Sequence, residues 1–421
     1  LILEIVHHTI GGKSGIFSAE TPSNTFPTSF CPSRHRTNGV FTVQGTQRVQ
    51  GRILSPQGDL GFGEITFGTH IDSVNFEPHP ADKGASDNTG TLTWVPGFID
   101  LHNHGGALGA FPSGSVEECR KAAEYHRSQG TTTMLASTVS ANRDELCLQV
   151  ERLAQLVDEG LIRGIHLEGP FVSPAKPGAQ DPSRITGGDP DMFLAVIEAA
   201  RGTVRAITFA PETDNVDELL ALCKQHDIIA SLGHTDTDHA TTAEVIAKAN
   251  NLGVTVTATH LFNAMPPLHH REPGPVGALL SAARRGKAYV ELIADGVHLD
   301  DAVVDSVYGP GAFAVSDAME AAGMCDGCYR LGHLDVTVTD RVARIANGAI
   351  AGGTSTIAEQ FARFMNRRGA ADAVRFTSTT AAEVLRDPSL GDIAAGKRAD
   401  LVGLDAKFRP VAVYCSGQRV A

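Results

Sequence analysis

Two histidines one residue apart, His102 and His104, stand at the end of the apolar run Phe98-Ile99-Asp100-Leu101, just before Gly105-Gly106. Side chains two apart on a strand share a face, so both imidazoles can reach one metal ion or a pair of ions. The glycines let the backbone turn away. The theme then repeats along the chain. Glu168 closes Ile165-His166-Leu167, His234 follows Ile228 to Gly233, and His260 follows Val254 to Thr259. Asp295 and His298 follow Val290 to Ala294, and Asp317 follows Phe313 to Ser316. Carboxylates and imidazoles are the side chains that hold a divalent cation.

Positioning them requires strands whose ends meet. Helical stretches lie between the strand-like runs, as at Glu117 to Gln129, Asp214 to His226 and Ala240 to Ala249. Such alternation predicts a parallel sheet with crossover helices. An open sheet would spread its strand ends along a line, whereas a closed (β/α)₈ barrel brings them to one point. Convergence is what a cation needs, so the expected fold is α/β with a TIM-like (β/α)₈ barrel.

The 421 residues, 42% hydrophobic and 20% charged, suffice for a large core and a smaller second domain. No apolar run reaches the length of a membrane span. The formal charge of -13 opposes a nucleic-acid partner, yet a local cluster of Arg and His can still hold a small phosphorylated ligand. Seven scattered cysteines build no disulfide framework and fit reduced thiols in a cytoplasm. Cys325-Asp326-Gly327-Cys328 lacks a second pair to complete a zinc site and reads as a turn past a strand.

Residues 1–38 show no steady periodicity and no secretory signal; they read as a poorly ordered extension with no part in the chemistry. From Gly39 onward, Val40 to Val43, Arg48 to Leu54, Gly63 to Phe67 and His70 to Val74 alternate as strands of an antiparallel sheet. Ala399 to Leu404 and Val411 to Cys415 return to that pattern. Pairing of the two ends makes one small domain of residues 39–94 and 371–421 beside a barrel of residues 95–370.

Several segments in order carry a resemblance. They are PGFIDLHNHGG at 96–106, HLEGPF at 166–171, GHTDT at 233–237, THLFNAMPPLHHREPG at 259–274, ADGVHL at 294–299 and VSDAM at 315–319. NGAIAGG at 347–353 and GDIAAGKRADLVGLD at 391–405 complete the set. Over residues 45–421 the chain resembles the N-acetylglucosamine-6-phosphate deacetylase family of the amidohydrolase superfamily. The resemblance implies a metal-dependent barrel, a small β-sandwich made from both ends, a homodimer, and release of acetate from N-acetyl-D-glucosamine 6-phosphate in amino-sugar recycling.

Amide hydrolysis at neutral pH needs a stronger nucleophile than water and help for a poor amine leaving group. Carried onto this chain, the resemblance makes Glu168, His234 and His260 the core metal ligands, with one coordination position open. His102 and His104 would hold a second ion, with Glu168 bridging. Zinc is the expected metal, with Fe2+, Mn2+ or Co2+ as alternatives. Asp317 becomes general base and then general acid, and His298 polarises the acetyl carbonyl or holds the sugar.

By the same resemblance Asn263, the Ala264 amide and Arg271 would receive the phosphate, with Arg271 reaching across a dimer interface. Asp295, Gly296, Val297 and His298 map onto sugar-contacting stretches, as do Ile350, Ala351, Gly352 and Ala179. Gln180 departs from the Gly-Ala-His of many relatives; it can hydrogen-bond a sugar hydroxyl but offers no ionisable ring. His166 reads as a packed barrel residue and His269-His270 as a loop supporting Arg271.

Three other readings compete. A cyclic amidohydrolase of the dihydroorotase or hydantoinase type needs a carboxylated lysine after the fourth strand, and Ile207 to Glu212 offers none. The galactosamine epimer of the substrate differs by a single hydroxyl. A metal-free scaffold would show degenerate ligands, yet His102, His104, Glu168, His234, His260 and Asp317 are all present.

Overall fold

Eight short parallel strands carry the ligand-type residues in the computed structural model, which describes residues 45–77 and 91–421. The expected extension over residues 1–38 and the expected strand at Val40 to Val43 lie outside the described residues. The strands are β1 (Phe98–Asp100), β2 (Thr131–Ser137), β3 (Gly164–Glu168), β4 (Val204–Phe209), β5 (Ile229–Leu232), β6 (Val256–Ala258), β7 (Tyr289–Leu292) and β8 (Ala312–Ala314). They pair in that order, all parallel. Apolar runs such as Met134-Leu135-Ala136 and Ile165-His166-Leu167 are buried on both faces, as strands covered by helices outside and packed inside must be.

A helix follows each strand: α1 (Val116–Ser128), α2 (Arg143–Asp158), α3 (Pro190–Ala199), α4 (Val216–Gln225), α5 (His239–Leu252), α6 (Gly274–Arg284), α7 (Asp301–Val307) and α8 (Ile357–Arg368). Local sequence sets their ends. Ser115 with Glu118 and Thr356 with Glu359 form capping boxes at the starts of α1 and α8. Gly253, at φ 73°, terminates α5 in the left-handed conformation.

Closure between β8 and β1 comes from residues just beyond the strands. Asp317 N–H donates to His102 O at 2.9 Å, and His104 N–H to Ala318 O at 2.7 Å. Below them the fully buried Asp100 accepts from Ser316 N–H at 3.0 Å, Ser316 Oγ at 2.6 Å and Asn103 Nδ2 at 3.0 Å. The barrel interior is apolar at its floor, where Ile99, Leu135, Ile229 and Phe313 meet Ala381, Val384 and Leu390. Ala381 and Val384 belong to a helical run made of Ala370–Val374, Arg375–Thr379 and Thr380–Val384.

Strands from both ends of the described chain form one seven-stranded sheet. Its order is Gln418–Arg419, Pro410–Cys415, Leu401–Leu404, Thr93–Pro96, Gln47–Ser55, Gly58–Phe67 and Ile71–Glu77. Ile53, Phe67, Trp94, Leu401 and Tyr414 make its core. A further antiparallel sheet of Gly327–Leu331, Leu334–Thr339, Val342–Arg344 and Ile350–Gly352 is inserted between β8 and α8. Cys325 and Cys328 lie exposed where it begins, and Asp326 between them accepts the N–H groups of Asp340 and Arg341 at 2.7 and 3.1 Å, tying that end of the first strand to the turn at 340–341. No helix among the described residues is long and apolar enough to cross a membrane.

Candidate active site

The ends of β1, β3, β5, β6 and β8 bring His102, His104, Glu168, His234, His260 and Asp317 together, all of them buried. Glu168 Oε1 lies 2.9 Å from His260 Nε2, 3.1 Å from His234 Nε2 and 3.4 Å from His102 Nε2. Its Oε2 lies 3.3 Å from His104 Nε2. Asp317 Oδ1 is 3.4 and 3.3 Å from the Nε2 atoms of His102 and His104. Two pairs of imidazole nitrogens face each other at 3.1 Å, His102 with His104 and His234 with His260.

The hydrogen bonds on the far sides of the rings fix what these nitrogens carry. His234 Nδ1 is 3.1 Å from Lys176 O, which can only accept, so Nδ1 holds the proton and Nε2 a lone pair. His102 Nδ1 is 3.2 Å from Glu291 Oε2, which also accepts the His260 N–H at 3.0 Å. His102 therefore donates from Nδ1, and its Nε2 turns toward carboxylate oxygens that call for a proton or a cation there. Lone pairs packed against carboxylates repel unless a proton or a cation lies among them. Among the described residues, Nδ1 of His104 and of His260 is buried with no hydrogen-bond partner. This donor set of carboxylates and imidazoles fits a divalent cation, and His102–His104–Asp317 and His102–Glu168–His260 are each compact enough to hold one.

Charge follows the same logic. Burial pushes the imidazoles of His102 and His104 down, but Asp317 and Glu168 reverse this and hold both above the ordinary 6.5. Burial pushes Glu168 and Asp317 up, and the facing imidazoles overturn it: Glu168 falls well below its ordinary range and Asp317 to about 2. A centre with this balance attracts positive charge.

Backbone strain concentrates here. His234, His260 and Asp317 have φ of 47°, 25° and 47°, a left-handed region in which side-chain-bearing residues cost about 1–3 kcal/mol. The barrel's rigid strands hold them there. Below the centre His166 hydrogen-bonds through both ring nitrogens, to Ser137 Oγ at 2.9 Å and Thr208 Oγ1 at 2.8 Å. Burial, and then the nearby His102, hold His166 well below its ordinary range, so it stays a neutral packing group.

A cavity of about 180 Å³ opens onto the centre. Ala179, Gln180, Asn263, Ala264, His298, Ile350 and Ala351 line it beside the ligand-type residues. Gly178, Leu331 and Ala349 join them, the last two from the inserted sheet that the sequence reading did not foresee. Gly178, at φ 56°, packs against His234, whose Cε1 would lie 3.0 Å from a Cβ there.

The other residues expected at the site lie around this cavity or away from it. Asp295 spends its carboxylate inside its own loop: Oδ2 accepts from His298 Nδ1 at 2.9 Å, and Oδ1 from the N–H groups of Val297 and His298 at 2.8 Å each. That leaves His298 Nε2 directed to the site, 3.9 Å from Asp317 Oδ2. Gly296 sits beneath the Arg363 guanidinium, Val297 is exposed, and Gly352 packs on the Asp317 carbonyl, so none of these lines the cavity. Arg271 is exposed on the loop beyond Asn263, and its guanidinium pairs with no carboxylate among the described residues. The Ala264 N–H donates to no group among the described residues.

Gln180 is engaged at both ends of its side-chain amide. Its Oε1 accepts the Ser140 N–H at 2.7 Å and its Nε2 donates to Glu168 Oε2 at 2.5 Å.

The amidohydrolase family profile matches residues 93–420. The chain belongs to the amidohydrolase family. Among its curated relatives in that family, N-acetylglucosamine-6-phosphate deacetylase of Bacillus subtilis (strain 168) is 33% identical over 337 residues, covering 77% of this chain and 83% of that protein. N-acetylgalactosamine-6-phosphate deacetylase of Escherichia coli O157:H7 is 32% identical, covering 87% and 97%. A solved structure of a mutant N-acetyl-D-glucosamine-6-phosphate deacetylase from Mycobacterium smegmatis, in complex with N-acetyl-D-glucosamine-6-phosphate, is 37% identical at a TM-score of 0.81, covering 89% of this amidohydrolase and 99% of that chain.

Proposed function

We propose that this amidohydrolase hydrolyses the N-acetyl group of N-acetyl-D-glucosamine 6-phosphate, giving D-glucosamine 6-phosphate and acetate in the cytoplasm. The observation that carries the reading is the meeting of four imidazoles with Glu168 and Asp317 at the mouth of a barrel, beside a cavity lined by His298, Asn263 and Ala264. In this reading Glu168, His234 and His260 would hold one divalent cation, zinc first among candidates, and His102 and His104, together with Glu168, would hold a second. Such a cation lowers the pKa of water and polarises a carbonyl.

The residues of the chain do the rest. Asp317, ionised at neutral pH, takes a proton from the attacking water and returns it to the nitrogen as the C–N bond breaks. Asp295 holds His298 by Nδ1, so that Nε2 is directed into the cavity, where it holds the sugar by accepting from a hydroxyl. The free Ala264 N–H and Asn263, whose Nδ2 is anchored on His260 O at 3.1 Å, supply fixed polar groups for phosphate. Arg271 adds a guanidinium from the exposed loop, in a homodimer from the neighbouring subunit.

A second reading has a specific observation behind it, since one relative covered over 97% of its length acts, by name, on the galactosamine epimer. Acetate release from a panel of N-acetylglucosamine 6-phosphate, N-acetylgalactosamine 6-phosphate and their unphosphorylated forms decides between them. The higher kcat/KM is expected on the glucosamine epimer. A higher value on the galactosamine epimer replaces the first reading with the second, and no acetate from any sugar refutes both.

A further inference from the structure

We infer that Glu291 is a positioning residue of this centre: one of its carboxylate oxygens keeps the His102 proton on Nδ1 and pins the backbone that delivers His260. This rests on the reading of the cluster as a divalent-cation centre.

Glu291 projects from β7 and is buried. Its Oε2 meets donors from two different strand ends, His102 Nδ1 at 3.2 Å and the His260 N–H at 3.0 Å. Its main-chain carbonyl accepts a third, the Leu261 N–H at 2.9 Å. Two successive N–H groups of the turn after β6 are therefore fastened to one residue. That turn holds His260 at φ 25°, a conformation a histidine does not keep unaided.

The two imidazoles need this hold for different reasons. Among the described residues His260 Nδ1 has no hydrogen-bond partner, so no bond at that end of the ring orients it. Its aim at Glu168 comes from the pinned backbone and from stacking on His102, with ring centroids 5.3 Å apart. His102 Nε2 lies 3.4 Å from both Glu168 Oε1 and Asp317 Oδ1. In the neutral ring those carboxylates would draw the single proton to Nε2, where an ion would have to expel it. An acceptor at Nδ1 keeps the proton on the far side and leaves Nε2 to the ion. His102, Glu168 and His260 form one compact group able to hold a cation, and Glu291 touches two of its three members. Losing such an outer partner weakens metal binding by about tenfold to a hundredfold.

The test is the Zn2+ affinity of the chelator-stripped, full-length protein, measured by competition with a chromophoric chelator. E291M keeps a similar volume and removes the acceptor, and it should weaken binding by about tenfold to a hundredfold. E291Q keeps an acceptor oxygen within reach and should lose less than E291M. A loss of less than about tenfold in folded E291M, whatever its thermal stability, overturns the inference and leaves the cation centre standing. So does a loss in E291Q as large as in E291M. A second measurement needs no variant. In zinc-loaded protein carrying isotope-labelled histidine, the His102 Nδ1 proton should show a through-space NMR contact with the His260 N–H, because both point at one oxygen. Absence of that contact overturns the inference even if neither variant folds. Binding of no ion by the unaltered protein overturns the cation-centre reading and this one with it.

Discussion

Asp100→Asn tests whether the metal-type centre depends on the seam that closes the barrel. Asp100 is fully buried and accepts four donors: Ser316 N–H, Ser316 Oγ, Asn103 Nδ2 and, at 3.4 Å, His102 N–H. An asparagine can keep its carbonyl on Ser316 N–H, but its NH₂ then faces the Ser316 hydroxyl and the Asn103 amide. Two charge-assisted hydrogen bonds of about 1.5–2 kcal/mol each are lost, a destabilisation of about 3–4 kcal/mol. For a chain of this size that corresponds to a fall of about 5 °C in the unfolding midpoint. Bound ions stabilise a folded protein by mass action, so the measurement belongs on chelator-stripped protein followed by circular dichroism. His102 and His104 follow Asp100 by two and four residues, and Asp317 follows Ser316 directly. Loosening the seam should therefore also lower retention of the ion on the His102–His104 side more than on the His234–His260 side. A stripped variant whose midpoint stays within about 1 °C of the unaltered protein would refute the assignment of Asp100 as the clamp.

Asp317→Asn should lower kcat by about 10²–10⁴ while bound metal is retained, since general acid–base assistance is worth that much; near-normal acetate release would remove Asp317 from the chemistry. Arg271→Ala should raise KM about tenfold or more for the phosphorylated sugar and leave unphosphorylated analogues unaffected; equal losses on both would make Arg271 a structural residue. Metal-stripped protein should lose thermal stability as pH rises. His102 and His104 are raised by their carboxylate neighbours, so their contribution is complete below the unfolded value of about 6.5 and disappears as pH climbs through the folded values. A midpoint that stays flat or increases as pH climbs above about 6.5 would contradict this; added Zn2+ should abolish the slope.

The centre was legible because strand ends are legible. His102, Glu168, His234, His260 and Asp317 each close an apolar run, and alternation with helices commits those runs to a parallel sheet whose ends meet. What a residue does with its other atoms was not legible, because that depends on chain remote in sequence. Gln180 reads as a sugar contact from its place beside Gly178-Ala179, yet its two bonds reach back to Ser140 and Glu168, 40 and 12 residues away. The left-handed backbone of His234, His260 and Asp317 has no sequence mark, since nothing in a histidine's identity announces φ > 0. Asp295 did carry a signal: a short carboxylate followed by Gly296 is a turn former that folds back on its own backbone N–H groups. The inserted sheet carried one too, since Leu334-Asp335-Val336-Thr337-Val338-Thr339 alternates strictly and buries Val336 and Val338. That pattern belongs to a strand with one wet face, the opposite of the two-sided burial that marks a barrel strand. A search tuned to the ligand-bearing strands therefore passes over the sheet that supplies Leu331 and Ile350 to the cavity wall.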